Sequence, residues 1–286
     1  MSTFEDAGTI GSDLVRIGAR IAAALERMGP PPAPATDLAA APAYSWDGQG
    51  LGAIARLDAP PLALLRGIDR QRDTVAENVA RHAAGADAHD MLLWGARGMG
   101  KSALIRASVL AAADGAGRIA LVQAAGNALD TLSTLMGLLG ASDRRFLLFI
   151  DDIGFGAGQE NEARLLRSLL EGGVSPRPAN VRIAVTSNRR AIVARHLSEQ
   201  DDPINPRDSV DDALALADRF GLSIGFHNCS QDDYLAIVAG YAEHYGLAWD
   251  EADALEWSKR RGARSGRVAR HYVTELAGRV GRSLEG

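Results

Sequence analysis

The chain has 286 residues, 47% of them hydrophobic and 23% charged, so it can bury a substantial core in one or two domains and is not globally disordered. Lys and Arg number 31 against 36 Asp and Glu, and the net charge of −5 argues against a protein that holds a polyanion through its overall charge. The single cysteine, Cys229, excludes an intramolecular disulfide and a multi-thiolate zinc site, and we interpret it as a small buried apolar residue.

Residues 1–61 are predicted to form an N-terminal arm outside the core. Apolar residues spaced by three or four between Leu14 and Met28 predict an amphipathic helix. Seven of the 11 prolines lie between Pro30 and Pro61, and they predict an irregular, partly extended linker. The acidic start and the lack of an apolar stretch of about 18 residues predict neither a secretion signal nor a transmembrane helix, so we expect a cytoplasmic protein.

Helices and strands are predicted to alternate from residue 62 onward. The predicted strands cover residues 90–94, 118–123, 145–150, 181–187 and 222–226. The predicted helices between them cover residues 67–84, 100–113, 127–139 and 160–172. Strands separated by helices of this length imply an α/β domain over residues 62–227, with a parallel sheet and helices on both faces.

The remaining residues, 228–286, are predicted to form a small helical domain. Ser230 and Asp233 have the spacing of a capping box and predict a helix that ends near Tyr245. Two more helices are predicted over residues 250–261 and 265–280.

A glycine-rich loop directly follows the first predicted strand. It consists of Gly95, Ala96, Arg97, Gly98, Met99, Gly100, Lys101 and Ser102. This is a complete Walker A pattern between a strand and a helix, although a glycine turn before a helix is the simpler alternative. The glycines allow backbone N–H groups to surround a phosphate, the lysine bridges β- and γ-phosphate oxygens, and the serine offers its hydroxyl to Mg²⁺.

A second acidic motif ends the apolar strand 145–150. Asp151 is predicted to lie on the Mg²⁺ side, acting largely through water and Ser102, and Asp152 is the candidate base or water-positioning residue. The alternative is a buried strand that simply ends in aspartate. Because the Asp152 side chain is one carbon shorter than the glutamate common in ATP-hydrolysing proteins, we expect hydrolysis to be slow.

The order of further motifs resembles an AAA+ ATPase. After the two Walker motifs come Thr186–Arg190, Asp218–Gly221 and Arg264–Arg270. More narrowly, the combination resembles a bacterial family of predicted ATP-binding proteins catalogued as a domain of unknown function. The likeness covers residues 62–282. It implies an AAA+ P-loop NTPase with a helical lid domain that takes ATP and Mg²⁺ as cofactors.

The resemblance also assigns roles to polar residues. Asn188 matches the sensor-1 residue, whose amide orients the attacking water. Arg219 matches the arginine finger that reaches the nucleotide of an adjoining subunit, and its alternative is a surface arginine paired with Asp218. Arg189 and Arg190 are rival fingers.

Arg267 matches the sensor-2 arginine of the lid, with Arg264 and Arg270 as rivals one turn to either side. The segment Gly67–Arg70 resembles the one that holds adenine. The region 123–130 has no aromatic residue, which argues against the pore loop of a protein unfoldase.

The expected function is ATP hydrolysis in a homo-oligomer, coupled to remodelling of an unidentified protein or nucleic-acid partner. One alternative is a loader-like protein that acts on nucleic acid or a nucleic-acid enzyme with little turnover, and another is a small-molecule kinase. Residues 259–282 carry eight lysines and arginines against Glu275. Those not assigned to nucleotide are predicted to form a solvated helix face, with nucleic-acid contact as the alternative.

Overall fold

The structure is a computed structural model that describes residues 15–21, 36–115, 118–154, 160–171, 177–188 and 217–284. The chain divides into two units, Met1–Thr36 and Asp37–Gly286. In the first unit residues 15–21 are helical, in agreement with the predicted amphipathic helix. Most of the proline-rich linker, residues 29–35, lies outside the described residues.

The second unit is built on a seven-stranded sheet with the order β2-β1-β4-β5-β6-β3-β7. The strands are β1 (Ala43–Trp46), β2 (Leu51–Ile54), β3 (Met91–Gly95), β4 (Ile119–Ala124), β5 (Arg145–Ile150), β6 (Val181–Ser187) and β7 (Leu222–Phe226). Every neighbouring pair is parallel except β1 and β2. The parallel sheet is therefore as predicted, with two further strands at one edge, the parallel β1 and the antiparallel β2.

Seven helices of the second unit are described. They are α1 (Asp69–Ala83), α2 (Lys101–Asp114), α3 (Leu132–Gly140), α4 (Glu160–Glu171), α5 (Gln231–Tyr245), α6 (Glu251–Arg260) and α7 (Gly266–Arg279). Short 3₁₀ turns occupy Leu62–Leu64 and Gly126–Thr131, so the predicted helix over 127–139 is a 3₁₀ turn followed by α3. The other predicted helices and strands of residues 62–286 differ from the observed bounds by no more than two residues.

The core has two halves, one on each face of the sheet. Along β5, Leu147 and Phe149 pack into one apolar cluster, while Phe146 and Leu148 pack into the other. This alternation follows from the two-residue period of a strand. Because both faces are covered, the central strands are apolar throughout, which is why residues 145–150 are so readily recognised as a strand.

Residues 37–61 differ from the expectation of an irregular arm, because β1 and β2 form a hairpin that joins the sheet next to β4. Tyr44 and Trp46 are buried on one face of β1. The turn between the strands is closed by Asp47, whose carboxylate accepts hydrogen bonds from the backbone N–H groups of Gln49 and Gly50. The chain thus divides after Thr36, not near residue 61.

Arg144 fastens the segment before β1 to the rest of the sheet. Its Nη1 atom donates to the carbonyl oxygens of Leu38 and Ala41 at 2.8 and 2.7 Å, and its Nη2 atom donates to the carbonyl of Ile119 at 3.2 Å. One guanidinium therefore provides hydrogen bonds to carbonyl groups from two separate parts of the chain. In a regular sheet, backbone N–H groups of a neighbouring strand would provide these hydrogen bonds.

The three C-terminal helices begin at side-chain caps. Ser230 and Asp233 form the predicted capping box of α5, and the side chains of Asp250 and Ser265 cap α6 and α7. Cys229 lies buried just before α5, and burial raises the pKa of its thiol to about 11. This agrees with the interpretation of Cys229 as a small apolar residue, since a thiol with so high a pKa is unreactive at neutral pH.

Within the described parts of the chain, no helix combines the length and the apolar character needed to cross a membrane.

We expect Arg144→Met to lower the free energy of unfolding by about 2 kcal/mol, because buried carbonyl groups lose a charged donor. The measurement is urea denaturation. Arg118→Met, which removes an exposed arginine close to β4, is the control and should change the stability by less than about 0.5 kcal/mol. Equal stabilities of the two variants would contradict this role of Arg144.

Candidate functional site

The order of the strands brings the predicted motifs to one edge of the sheet. Strand β6 lies between β5 and β3, and all three are parallel. Their carboxyl ends therefore meet, and the loop after β3, the aspartates after β5 and Asn188 after β6 become neighbours. Open α/β sheets bind ligands at this edge, where the connections diverge to opposite sides.

The Walker A loop needs glycine at two crowded positions. Gly95 has φ 117°, and a Cβ placed on it would lie 2.1 Å from the Phe226 carbonyl oxygen. Gly98 has φ 74°, and a Cβ there would lie 2.9 Å from Ser265 Oγ. Only glycine tolerates both the left-handed backbone and the close approach. Arg97, which precedes Gly98, is exposed, and Met99, which follows it, is buried.

Lys101 is buried at the start of α2, with 5% of its surface exposed. Its Nζ atom donates to the carbonyl oxygens of Gly95 and Ala96 at 3.0 and 2.8 Å, and to Asn188 Oδ1 at 3.0 Å. Burial lowers the pKa of the ammonium group, while the carboxylates of Asp152 and Asp151 oppose that shift. Three acceptors match the three N–H donors of a charged ammonium.

Ser102 and Asp151 lie in direct contact, as the two Walker motifs predict. Ser102 Oγ donates to Asp151 Oδ1 at 2.7 Å. The same carboxylate oxygen accepts a hydrogen bond from Thr186 Oγ1. A hydroxyl and a carboxylate are the hard oxygen ligands that Mg²⁺ prefers.

Asp152 adopts a left-handed backbone with φ 55°, alone among the described non-glycine residues. Aspartate tolerates this conformation better than most residues. Its backbone N–H donates to Thr186 Oγ1 at 2.9 Å, and its carboxylate accepts from Asn188 Nδ2. Asn188 therefore joins Lys101 to Asp152, so two of the three predicted catalytic side chains, Asp152 and Asn188, lie in contact.

Thr186 is a site residue that the sequence analysis missed. Its hydroxyl holds the Asp151 carboxylate and the Asp152 backbone, and only 1% of its surface is exposed. The sequence does carry a sign of this role. Thr186 lies two residues before Asn188, and the two-residue period of a strand places both side chains on the same face of the sheet.

The start of α7 packs against the Walker A loop. The backbone N–H of Arg267 donates to the Gly98 carbonyl oxygen at 3.1 Å. Arg270, the rival one turn later, instead stacks on Tyr241 and donates to Tyr245. Arg264 is exposed. The contact of Arg267 is made by its backbone and its side chain is exposed, so its assignment to the nucleotide stays a prediction.

Arg219 forms an ion pair with Glu171 at the end of α4, with Nε donating to Glu171 Oε1 at 2.7 Å. The side chain of Arg219 is 33% exposed. The rival residues Arg189 and Arg190 lie outside the described residues.

The segment before α1 also lies next to the loop. Ile68 and Leu65 are buried, and each has a methyl group 3.7 Å from the point where a Cβ on Gly100 would stand. Apolar side chains are thus present where the resemblance places the adenine-holding segment, residues 67–70.

The residues at this edge fit a Mg²⁺–triphosphate group. The start of a helix carries partial positive charge that favours an anion, and the Lys101 ammonium belongs to the first residue of α2. Among the described residues no cluster of three or more His, Cys, Asp or Glu forms a metal site. Such a cluster is not needed, because Mg²⁺ is commonly held by one or two protein ligands together with phosphates and water.

A family model described as "Protein of unknown function (DUF815)" matches residues 39–280 of the chain. The chain belongs to this family. The match begins just before β1, which is consistent with the hairpin being part of the folded unit. No curated protein sequence matches the chain at a significant level.

Solved structures resemble the DUF815 chain in fold. A variant of RuvB from Thermotoga maritima has a TM-score of 0.50 and 19% sequence identity, covering 79% of this chain and 68% of RuvB. ORC1 from Aeropyrum pernix, in a complex with DNA, has a TM-score of 0.52 and 16% identity, covering 77% of this chain and 65% of ORC1. These likenesses confirm the AAA+ P-loop NTPase fold and, at such identities, establish nothing beyond it.

We expect Thr186→Val and Asp151→Ala to be energetically coupled in the absence of ligand, because the Thr186 hydroxyl holds the Asp151 carboxylate. A double-mutant cycle measured by urea denaturation should give a coupling energy of at least about 1 kcal/mol. The control cycle pairs Asp151→Ala with Thr74→Val, an exposed threonine on α1, and should be additive within about 0.5 kcal/mol. Additivity in both cycles would contradict the assignment.

Proposed function

We propose that this DUF815 protein binds ATP with Mg²⁺ and hydrolyses it, using the cycle to remodel a macromolecular partner. The proposal rests above all on the buried ammonium of Lys101, which lies inside a glycine cradle beside the Ser102–Asp151 pair. A buried lysine with its pKa lowered is a costly feature for a merely structural loop, whereas a triphosphate needs that charge at that point.

The phosphates would be held by backbone N–H groups of residues 97–102, since the Ala96 N–H donates to the Phe226 carbonyl oxygen. In the present arrangement Lys101 donates to two loop carbonyls and to Asn188. Phosphate oxygens carry more negative charge than these acceptors and make stronger hydrogen bonds with an ammonium. Nucleotide binding would therefore draw Lys101 away from Asn188.

Ser102 and Asp151 are the residues that would hold Mg²⁺, Asp151 largely through water. When bound, Mg²⁺ supplies positive charge that neutralises the β- and γ-phosphate oxygens during transfer. The hydroxyl of Thr186 would keep the Asp151 carboxylate pointed at Ser102.

Asp152 is the proposed base or water-positioning residue, and Asn188 would hold its carboxylate in place. Base catalysis contributes roughly 10²–10⁴ in rate, and it depends on the distance between the base and the water. Because aspartate is shorter than glutamate, we propose slow hydrolysis.

Completion of the site is proposed to require a second copy of the chain. Arg219 is the proposed finger, supplied in trans, and it would have to leave its ion pair with Glu171. A finger contributes roughly 10³–10⁵ in rate, so hydrolysis would depend on assembly into a homo-oligomer. Within one subunit, the three-helix segment from residue 228 would act as a lid, with Arg267 contacting the nucleotide.

We expect Lys101→Ala to weaken binding of a fluorescent ATP analogue by at least about 100-fold, because an ammonium–phosphate contact is lost. Phosphate release should fall to background. The chain offers a matched control in Lys259→Ala, which removes the other lysine, an exposed one on α6, and should bind and turn over as the parent does. Undiminished ATPase activity of the Lys101→Ala protein would overturn the proposal.

Mixing two inactive variants tests the shared site. Arg219→Ala subunits keep Asp152, and Asp152→Ala subunits keep Arg219, so about one interface in four should be intact in an equal mixture of randomly assembling subunits. We expect ATPase activity to reappear in that mixture, measured as phosphate release. Glu171→Gln is the control, since it should retain activity if Arg219 acts in trans. Absence of rescue at every ratio would contradict the assignment of Arg219.

A further inference from the structure

A groove on the C-terminal helices shares no residue with the candidate nucleotide site. It lies between α6 and α7, has a volume of about 510 Å³, and is lined by residues that include Trp257, Arg261, His271, Gly278 and Arg279. Helix α7 has a glycine at this point, and a Cβ on Gly278 would meet no atom within 4 Å. The groove thus has one open, shallow wall beside an indole ring.

The indole of Trp257 carries stacked guanidinium groups. The Cζ atom of Arg261 lies 4.8 Å from the centre of the Trp257 ring, and that of Arg260 lies 5.8 Å from it. The ring packs against Tyr272 with its centre 6.0 Å away, which anchors it to the helical core. A guanidinium held over an aromatic ring loses little further entropy when its N–H groups bind a phosphate.

The cationic charge that can meet an anionic partner lies at one end of the groove, on Arg261. Arg279 is engaged by two carboxylates, since it donates to Asp253 and Glu275 at 2.9 and 3.1 Å. Arg261 is exposed, and the imidazole of His271 faces the same groove. Arg260 lies 3.9 Å from Glu256, and the pair is largely exposed. With Lys259 next to Arg260 in sequence, the cationic charge is concentrated at the end of α6.

We propose that this groove binds single-stranded nucleic acid, with a phosphate on Arg261 and a base against the wall beside Trp257. Single-strand binding sites combine cationic side chains for the backbone with aromatic and apolar surfaces for the bases, and the groove offers Arg261 for the first and the wall beside Trp257 for the second. An acidic peptide would satisfy the charge but would make no use of the indole and the open wall. The inference names the partner of the proposed ATPase, and in that respect it rests on the proposed function.

The experiment measures anisotropy of a labelled oligonucleotide of about 20 thymidines at about 50 mM and 200 mM salt, without ATP. We expect Arg261→Gln to weaken binding about eightfold at the lower concentration and to reduce the salt slope by about 0.7, the effect of one lost phosphate contact. The control, Arg282→Gln, removes the same charge from a residue that contacts the Gly246 carbonyl, and should change the affinity less than about twofold.

The inference would be overturned if the parent protein fails to bind the oligonucleotide at the lower salt concentration. It would also be overturned if Arg261→Gln and Arg282→Gln weaken binding equally. Polyglutamate is tested in parallel. If polyglutamate binds in an Arg261-dependent way while the oligonucleotide does not, the groove is a site for an acidic protein and the inference is wrong.

The Lys101→Ala protein should bind the oligonucleotide as the parent does. Because no ATP is present in this assay, a parent protein that binds the oligonucleotide but shows no ATPase activity would count against the proposed function alone.

Discussion

The burial of one positive charge, on Lys101, constrains the whole carboxyl edge of the sheet. A buried ammonium is tolerated only when its N–H groups meet acceptors, and here two come from the loop itself and one from Asn188. The third acceptor exists because β6 lies between β3 and β5. The order of the strands, more than any single motif, therefore brings the lysine, the two aspartates and the asparagine together.

Asn188 connects Lys101, the proposed phosphate ligand, with Asp152, the proposed base. Its amide oxygen accepts from Lys101, and its amide nitrogen donates to Asp152. If phosphate draws Lys101 away, as we propose, Asn188 keeps its hydrogen bond to Asp152 and loses its hydrogen bond from Lys101. Asp152 has a left-handed backbone, which stores a modest strain in the same loop. Occupation of the loop would thus change what holds Asn188 beside the base, without movement of the sheet.

The sequence was sufficient for the features whose signal is local. The strand 145–150 is apolar on both faces, and the loop 95–102 has a spacing that few sequences share. Strand β1 was missed because it has only four residues among prolines and is held by its pairing with β4 and by Arg144, both distant in sequence. A local clue was present in the Asp47–Gly48 turn, which is typical of a hairpin. Thr186 was missed because its role depends on contacts with the neighbouring strand.

The C-terminal helices bring the basic end of the chain next to the candidate site. A net charge of −5 coexists with a basic C-terminal segment, and the start of that segment's last helix touches the loop. A Cβ on Gly98 would collide with Ser265, and the Arg267 N–H donates to the Gly98 carbonyl. Helix α7 therefore contacts the candidate phosphate loop at its first turn and lines the Trp257 groove near its end. One helix therefore contributes to both surfaces, with its first turn at the loop and its last turns at the groove.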